Sequence, residues 1–279
     1  MSVLNSYNKN REFLICIDSD GCAMDTMDCK HFHCFGPCMV DEWELKEWTE
    51  PILAHWNQVN LYSMTRGINR FLALGKVLLH VDGTYRKIPQ VQAFVSWTET
   101  APELSNASVK AAYAQNGQEI FQKALAWSEA VNLAITKLPE EMKKPFDKAA
   151  DGIKTAHGAA DVAIVSSANY EAVREEWEKF GLMGSVDICL TQSEGSKAFC
   201  IGEMLKKGYD KDHVLMVGDA PGDKAAAEKN GVLYYPILVK KEAASWERFV
   251  KEALPKFLEG AYKGDYQEQV NQEFLDNLS

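Results

Sequence analysis

The chain has no apolar run approaching the roughly 20 residues that a bilayer crossing requires, and its first residues are polar. Neither a membrane span nor a signal peptide is therefore expected. Positive charge is scarce: 30 Lys and Arg stand against 40 Asp and Glu, a net charge of −10. Backbone binding to nucleic acid needs clustered Lys and Arg, so that class of partner is not expected either. There is no internal repeat and no low-complexity segment. The seven cysteines include no Cys-x-x-Cys pair, the spacing of common structural zinc sites. Their number is odd, and Cys16 and Cys189 sit inside predicted strands as small apolar residues, which suggests a reducing compartment, the cytoplasm.

What is present begins with four apolar residues, Leu14-Ile15-Cys16-Ile17, that run into Asp18-Ser19-Asp20-Gly21. A second apolar run, Val214-Leu215-Met216-Val217, ends in Gly218-Asp219-Ala220-Pro221-Gly222-Asp223. Each reads as a short buried strand, and each places carboxylates at the strand's carboxyl end, where open α/β sheets bind ligands. Carboxylates converging there repel one another unless a cation sits among them. That combination points to a magnesium (Mg2+) site built for phosphate chemistry. Asp-Gly and Asp-x-x-Gly are also ordinary turn chemistry, so neither motif is decisive alone.

Two further elements add weight. Asp161-Val-Ala-Ile-Val165 is another strand pattern, followed by Ser166-Ser167-Ala168-Asn169 and a helical pattern from Tyr170 to Phe180. Such a turn offers a hydroxyl and free backbone N–H groups to an anion. Asn169 can cap the helix while Ser166 faces phosphate. Gly195-Ser196-Lys197 opens a helical stretch to Lys207. A cation at a helix N-terminus gains nothing from the helix dipole, so Lys197 needs another partner, such as a phosphate or the aspartates.

Taken in order, Asp18-Ser19-Asp20-Gly21, Ser166, Lys197 and Gly218-Asp219-x-x-x-Asp223 resemble the four motifs of the haloacid dehalogenase-like hydrolase superfamily, over a core from about Phe13 to Pro236. The resemblance implies a Rossmann-like α/β core, a parallel sheet with helices on both faces, plus a helical cap inserted between the first two motifs. It implies Asp18 as nucleophile and Asp20 as general acid and then base, with Ser166 and Lys197 completing the catalytic set. Metal is expected on Asp18, on Asp20 through its backbone carbonyl, and on Asp219. Asp223 is expected to support that shell rather than bind directly. Ser166, Ser167, Ala168 and Lys197 are the expected phosphate site. A carboxylate at Asp20 separates this sequence from the dehalogenase and phosphonate-cleaving branches.

The motif spacing places the core in 1–27 and 156–279 and the cap in 28–155. Within the insertion, helices are expected over Val40 to Asn57, Arg66 to Val81, Pro89 to Thr98, Ala107 to Gln115, Gln118 to Leu138 and Pro145 to His157. Cys29-Lys30-His31-Phe32-His33-Cys34 and Cys38 read as a loop that packs or meets substrate, with enough sulfur and imidazole for zinc to stay an alternative. After Ser166, strand and helix alternate: Val186 to Leu190, Lys197 to Lys207, His213 to Val217, Pro221 to Asn230 and Val232 to Tyr235. Helices are expected near Ser245 to Leu258 and Tyr266 to Leu278.

The chemistry these residues suit is phosphate-ester hydrolysis through an aspartyl-phosphate, which divides one slow displacement into two easier ones. Asp20 must hold a proton near neutrality, so a raised pKa is expected for it. The expected partner is a small-molecule phosphate ester. Arg66 and Arg70, four apart on a predicted helix, could clamp a second anionic group, or form an ordinary solvated face. Trp43, Trp48, Trp56, Trp97 and Trp127 either line a substrate pocket or fill the cap's core. The motifs equally admit a phosphomutase or phosphotransferase of the same fold, β-phosphoglucomutase-like. A non-catalytic phosphometabolite-binding module is a third reading.

Overall fold

The computed structural model describes residues 3–279. Its five strands are β1 (Leu14–Ile17), β2 (Asp161–Val165), β3 (Ile188–Leu190), β4 (Val214–Gly218) and β5 (Leu233–Pro236). They form one sheet in the order β3-β2-β1-β4-β5, with every neighbouring pair parallel. Every strand residue is buried, as expected where helices cover both faces and strands read as continuous apolar runs. From β1 the chain builds outward through β2 and β3, then crosses back to add β4 and β5 on the other side. The switch point therefore lies at the carboxyl end of β1, where such sheets form their binding crevice.

Two compact units make up the chain: residues Met1–Met27 with Glu140–Ser279, and Asp28–Pro139. In the first, Ile15, Ile17, Val162, Ile164, Leu215, Val217, Trp177, Trp246 and Phe249 join one apolar cluster. The helix Ala149–Ala159 belongs to this unit, not to the segment 28–155 expected as the cap. Its small buried face of Ala149, Gly152, Ile153 and Ala156 packs into the sheet's core. At Gly152 an added Cβ would stand 2.4 Å from Cε3 of Trp246, so this close approach requires glycine.

The second unit is all helical, with its own core built on Trp56, Trp127, Phe71, Phe94 and Phe121. The expected helix from Val40 to Asn57 is two, Gly36–Glu42 and Thr49–Leu61, because Glu44 takes a left-handed backbone (φ 53°) that no α-helix accommodates. The stretch from Cys29 to Cys38 is not a loop. Helix Met27–Lys30, a π-helical turn at His31–Phe35 and helix Gly36–Glu42 follow one another directly. Cys34 and Phe35 face the unit's core, and His31 stacks on Phe35 and accepts a hydrogen bond from Trp56 Nε1 at 3.0 Å. Trp43, Trp56 and Trp127 are buried, and Trp48 and Trp97 pack against the same cluster. No helix among the described residues is long and apolar enough to cross a membrane.

Candidate active site

The sheet delivers Asp18 first. β1 is paired in register with β2 and β4, Ile17 lying opposite Ile164 and Val217, and Asp18 N–H continues the ladder to Val217 O at 3.0 Å. The chain then turns sharply. Ser19 O accepts from the N–H groups of Cys22, Ala23 and Met24 at 3.3, 3.0 and 2.9 Å, and Gly21 provides the left-handed φ of 82° that the turn requires. In this turn Ser19 N–H donates to Asp18 Oδ1 at 2.8 Å. Asp20 is half-buried, and its carboxylate accepts from the Thr26 hydroxyl.

β4 delivers Asp219 and Asp223. Asp223 lies in the first turn of the helix Pro221–Asn230 and folds back over the strand end. Its Oδ2 accepts from Ala220 N–H at 3.0 Å. Gly218 makes this possible, since a Cβ there would stand 2.3 Å from Asp223 Cγ. Lys197 opens the helix Lys197–Leu205, and Ser196 caps that helix by accepting from Phe199 N–H at 3.2 Å. The partner that its sequence position demanded is the aspartates: Nζ lies 2.8 Å from Asp18 Oδ2 and 2.6 Å from Asp223 Oδ1.

One carboxylate oxygen from each of Asp18, Asp219 and Asp223 lies within 4.8 Å of the others. The three residues are 5, 1 and 0% exposed. Burial pushes the Asp18 carboxyl well above the usual range, Lys197 opposes this, and Asp223 and Asp219 add to it. Burial alone would push Lys197 down, but the adjoining charges of Asp18 and Asp223 more than reverse this and hold its ammonium above the ordinary lysine range. Three buried carboxylates against one lysine leave an excess of negative charge. Their hard oxygen donors suit a divalent cation such as magnesium, so the residues present fit a metal centre.

Ser166 lies just beyond β2 and is buried. Its N–H donates to Leu190 O at 2.9 Å and its Oγ accepts from Ala168 N–H at 3.1 Å. Asn169 caps the helix Tyr170–Lys179, its side chain accepting from the N–H groups of Glu171 and Ala172. Arg66 and Arg70 do not share a helix face. Gly67 takes a left-handed φ of 72° and Asn69 caps a helix that starts at Arg70, leaving Arg66 in the preceding turn. The Arg70 guanidinium donates to Ser128 Oγ and Asn132 Oδ1 at 3.0 and 2.8 Å and lies over the Phe35 ring. Arg66 is 2% exposed, with Nη1 donating to Leu61 O at 2.8 Å.

Three buried residues outside the motifs bond to the site's turns, one through a side chain and two through backbone carbonyls. Trp177 Nε1 donates to Ser19 Oγ at 2.9 Å, Trp246 Nε1 to Cys22 O at 3.0 Å, and the Tyr234 hydroxyl to Gly218 O at 3.0 Å. Their sequence signal is apolar periodicity alone, which marks core and carries no information about a polar edge.

The chain belongs to the haloacid dehalogenase-like hydrolase family, whose profile matches residues 88–235. It is an enzyme of that hydrolase class. The matched stretch contains Ser166, Lys197, Asp219 and Asp223. Asp18 lies ahead of it and is brought to the same place by the pairing of β1 between β2 and β4. No curated protein matches the chain. Among solved structures, it is similar to a candidate phosphoglycolate phosphatase from Lactobacillus delbrueckii subsp. bulgaricus, with 15% identity over 81% of this chain and 85% of that one and a TM-score of 0.51. A hydrolase from Pseudomonas syringae is 15% identical over 85% and 90% of the two chains, with a TM-score of 0.48. A haloacid dehalogenase-like family hydrolase from Streptococcus pneumoniae is 11% identical over 84% and 90%, with a TM-score of 0.46. At these identities the first likeness supports the fold.

Proposed function

We propose that this hydrolase is a magnesium-dependent phosphatase acting on a small phosphorylated metabolite through an aspartyl-phosphate on Asp18. The observation that carries the reading is the clamping of one buried carboxylate: Oδ1 is held by Ser19 N–H and Oδ2 by Lys197, beside Asp219 and Asp223. A carboxylate fixed in this way has a defined direction of attack and little reorganisation left to undergo.

In the first step an Asp18 oxygen attacks phosphorus, the ester P–O bond breaks, and Asp20 gives its proton to the departing oxygen. In the second, Asp20 takes a proton from water, which attacks phosphorus, and the P–O bond to Asp18 breaks to release inorganic phosphate. Ser166, the Ser167 N–H and Lys197 hold the phosphoryl oxygens, and the Ala168 N–H, which donates to Ser166 Oγ, fixes that hydroxyl in place. Asp223 uses one oxygen on Ala220 N–H and the other on Lys197, so its part is to hold the lysine in place. Asp18, Asp219 and the backbone carbonyl of Asp20 would hold the magnesium, whose charge would keep Asp18 ionised and neutralise phosphoryl oxygens. Substrate choice is assigned to the helical unit, because the sheet's motifs serve the phosphoryl group. The seven free thiols favour a reducing compartment, the cytoplasm.

The test is product analysis on a panel of phosphate esters, hexose 1-phosphates included, with magnesium and with chelator. Free phosphate released only with magnesium supports the reading. Isomerised sugar phosphate without free phosphate would replace it with a phosphomutase, and binding without any transfer would replace it with a silent binding module.

A further inference from the structure

The nucleophile's turn is bonded to its surroundings by a contact that no motif accounts for. Ser19 is fully buried, and its Oγ accepts the indole N–H of Trp177, itself 0% exposed, at 2.9 Å. The two residues are 158 positions apart. Ser19 is also the residue whose N–H holds Asp18 Oδ1 at 2.8 Å and whose carbonyl gathers Cys22, Ala23 and Met24 into the turn. Any rotation of Ser19 therefore turns the Asp18 carboxylate.

Trp177 lies on the helix Tyr170–Lys179, which starts directly after Ser166-Ser167-Ala168 and is capped by Asn169. Eight residues of helix, roughly 12 Å, thus join the loop expected to hold phosphate to the loop that carries the nucleophile. A buried indole N–H is satisfied only by a partner at a fixed distance and angle, so the bond fixes separation as well as contact. Trp246 bonds to the same turn. Its N–H bonds Cys22 O, and its ring is seated against Gly152.

We infer that Trp177 is a positioning residue for the reaction: through Ser19 Oγ it holds the Asp18 carboxylate in register with the Ser166–Ala168 loop. Substrate contacts are untouched, so its loss slows turnover rather than binding. This inference rests on the phosphatase reading, and the experiment separates the two.

The variants are Trp177→Phe, which keeps a buried ring and removes the donor, Ser19→Ala, which removes the acceptor in a small side chain, and the double variant. Each single variant is expected to lower kcat by about fivefold to tenfold with KM within about twofold, the size of one well-placed hydrogen bond. The double variant is expected to fall no further than the lower single one, since both remove the same bond. Hydrogen exchange of the amides from Ser19 to Met24 is expected to accelerate in all three. Wild-type phosphate release with unchanged kcat in the variants, multiplying effects in the double variant, or unchanged exchange in the turn would each overturn the inference. Absence of wild-type turnover counts against the phosphatase reading instead, and the exchange measurement then decides whether Trp177 fixes the turn.

Discussion

Lys197→Met is the perturbation whose size follows most directly from the geometry. At an effective dielectric of about 20, unit charges within 4.8 Å of one another repel by at least roughly 3.5 kcal/mol per pair, so three carboxylates store roughly 10 kcal/mol or more. The lysine contacts at 2.8 and 2.6 Å return roughly 6 kcal/mol each. Lysine and aspartates therefore nearly balance, and methionine removes one side of the balance while keeping the volume. Leaving buried charge without its partner costs about 3–5 kcal/mol, a fall in Tm of roughly 6–20 °C for a chain of this size.

The sign of the pH dependence follows from Asp18, whose pKa burial raises in the folded state. A carboxyl with a raised folded pKa contributes stability below its ordinary pKa and loses it as pH rises through the raised value. Removing Lys197 raises Asp18 further and extends that loss to higher pH. In chelator, the variant should trail the wild type by more near pH 8 than near pH 5. Thermal melts at the two pH values check this. An equal deficit at both would show that the carboxylates carry no unbalanced charge.

Four further outcomes are expected. Gly218→Ala drives a Cβ to 2.3 Å from Asp223 Cγ, displacing the residue that holds Lys197. Its kcat should fall by about 100-fold or more, and wild-type rates would contradict the role given to Asp223. Gly152→Ala places a Cβ 2.4 Å from the Trp246 ring and should cost about 1–3 kcal/mol in urea unfolding. Gly83→Ala, on the helix Arg70–Thr84 with nothing within 4 Å, should be neutral or stabilising by up to about 1 kcal/mol. Magnesium at about 100 times its Kd should add about 2.7 kcal/mol, or roughly 5–11 °C in Tm, and Asp219→Asn should shrink that shift.

Sheet and motifs were legible because both are local signals. The runs 14–17, 162–165 and 214–217 are apolar throughout, and each is followed within a few residues by the polar group it positions. The boundaries that failed depend on single backbone angles. Glu44 and Gly67 turn left-handed, and nothing in the apolar period marks either. The helical pattern from Pro145 to His157 reads with the insertion because it resembles its neighbours' patterns, whereas the helix Ala149–Ala159 joins the sheet's unit. What places it with the sheet is Gly152 under Trp246, a contact between residues far apart in sequence. Arg70 offers a similar lesson. Its charge suggested an anion clamp, but Ser128, Asn132 and the Phe35 ring occupy its guanidinium. The bond from Trp177 to Ser19 was invisible because a tryptophan at a core position gives no sign of where its one N–H points.

Asp18 is proposed as the nucleophile that attacks phosphorus, and Asp18→Asn tests that role most directly. Phosphate release from a generic aryl phosphate should require magnesium and be lost in the variant, whose amide keeps the carboxylate's shape without its charge. Turnover that survives the substitution would contradict the account, because the nucleophile would then lie elsewhere.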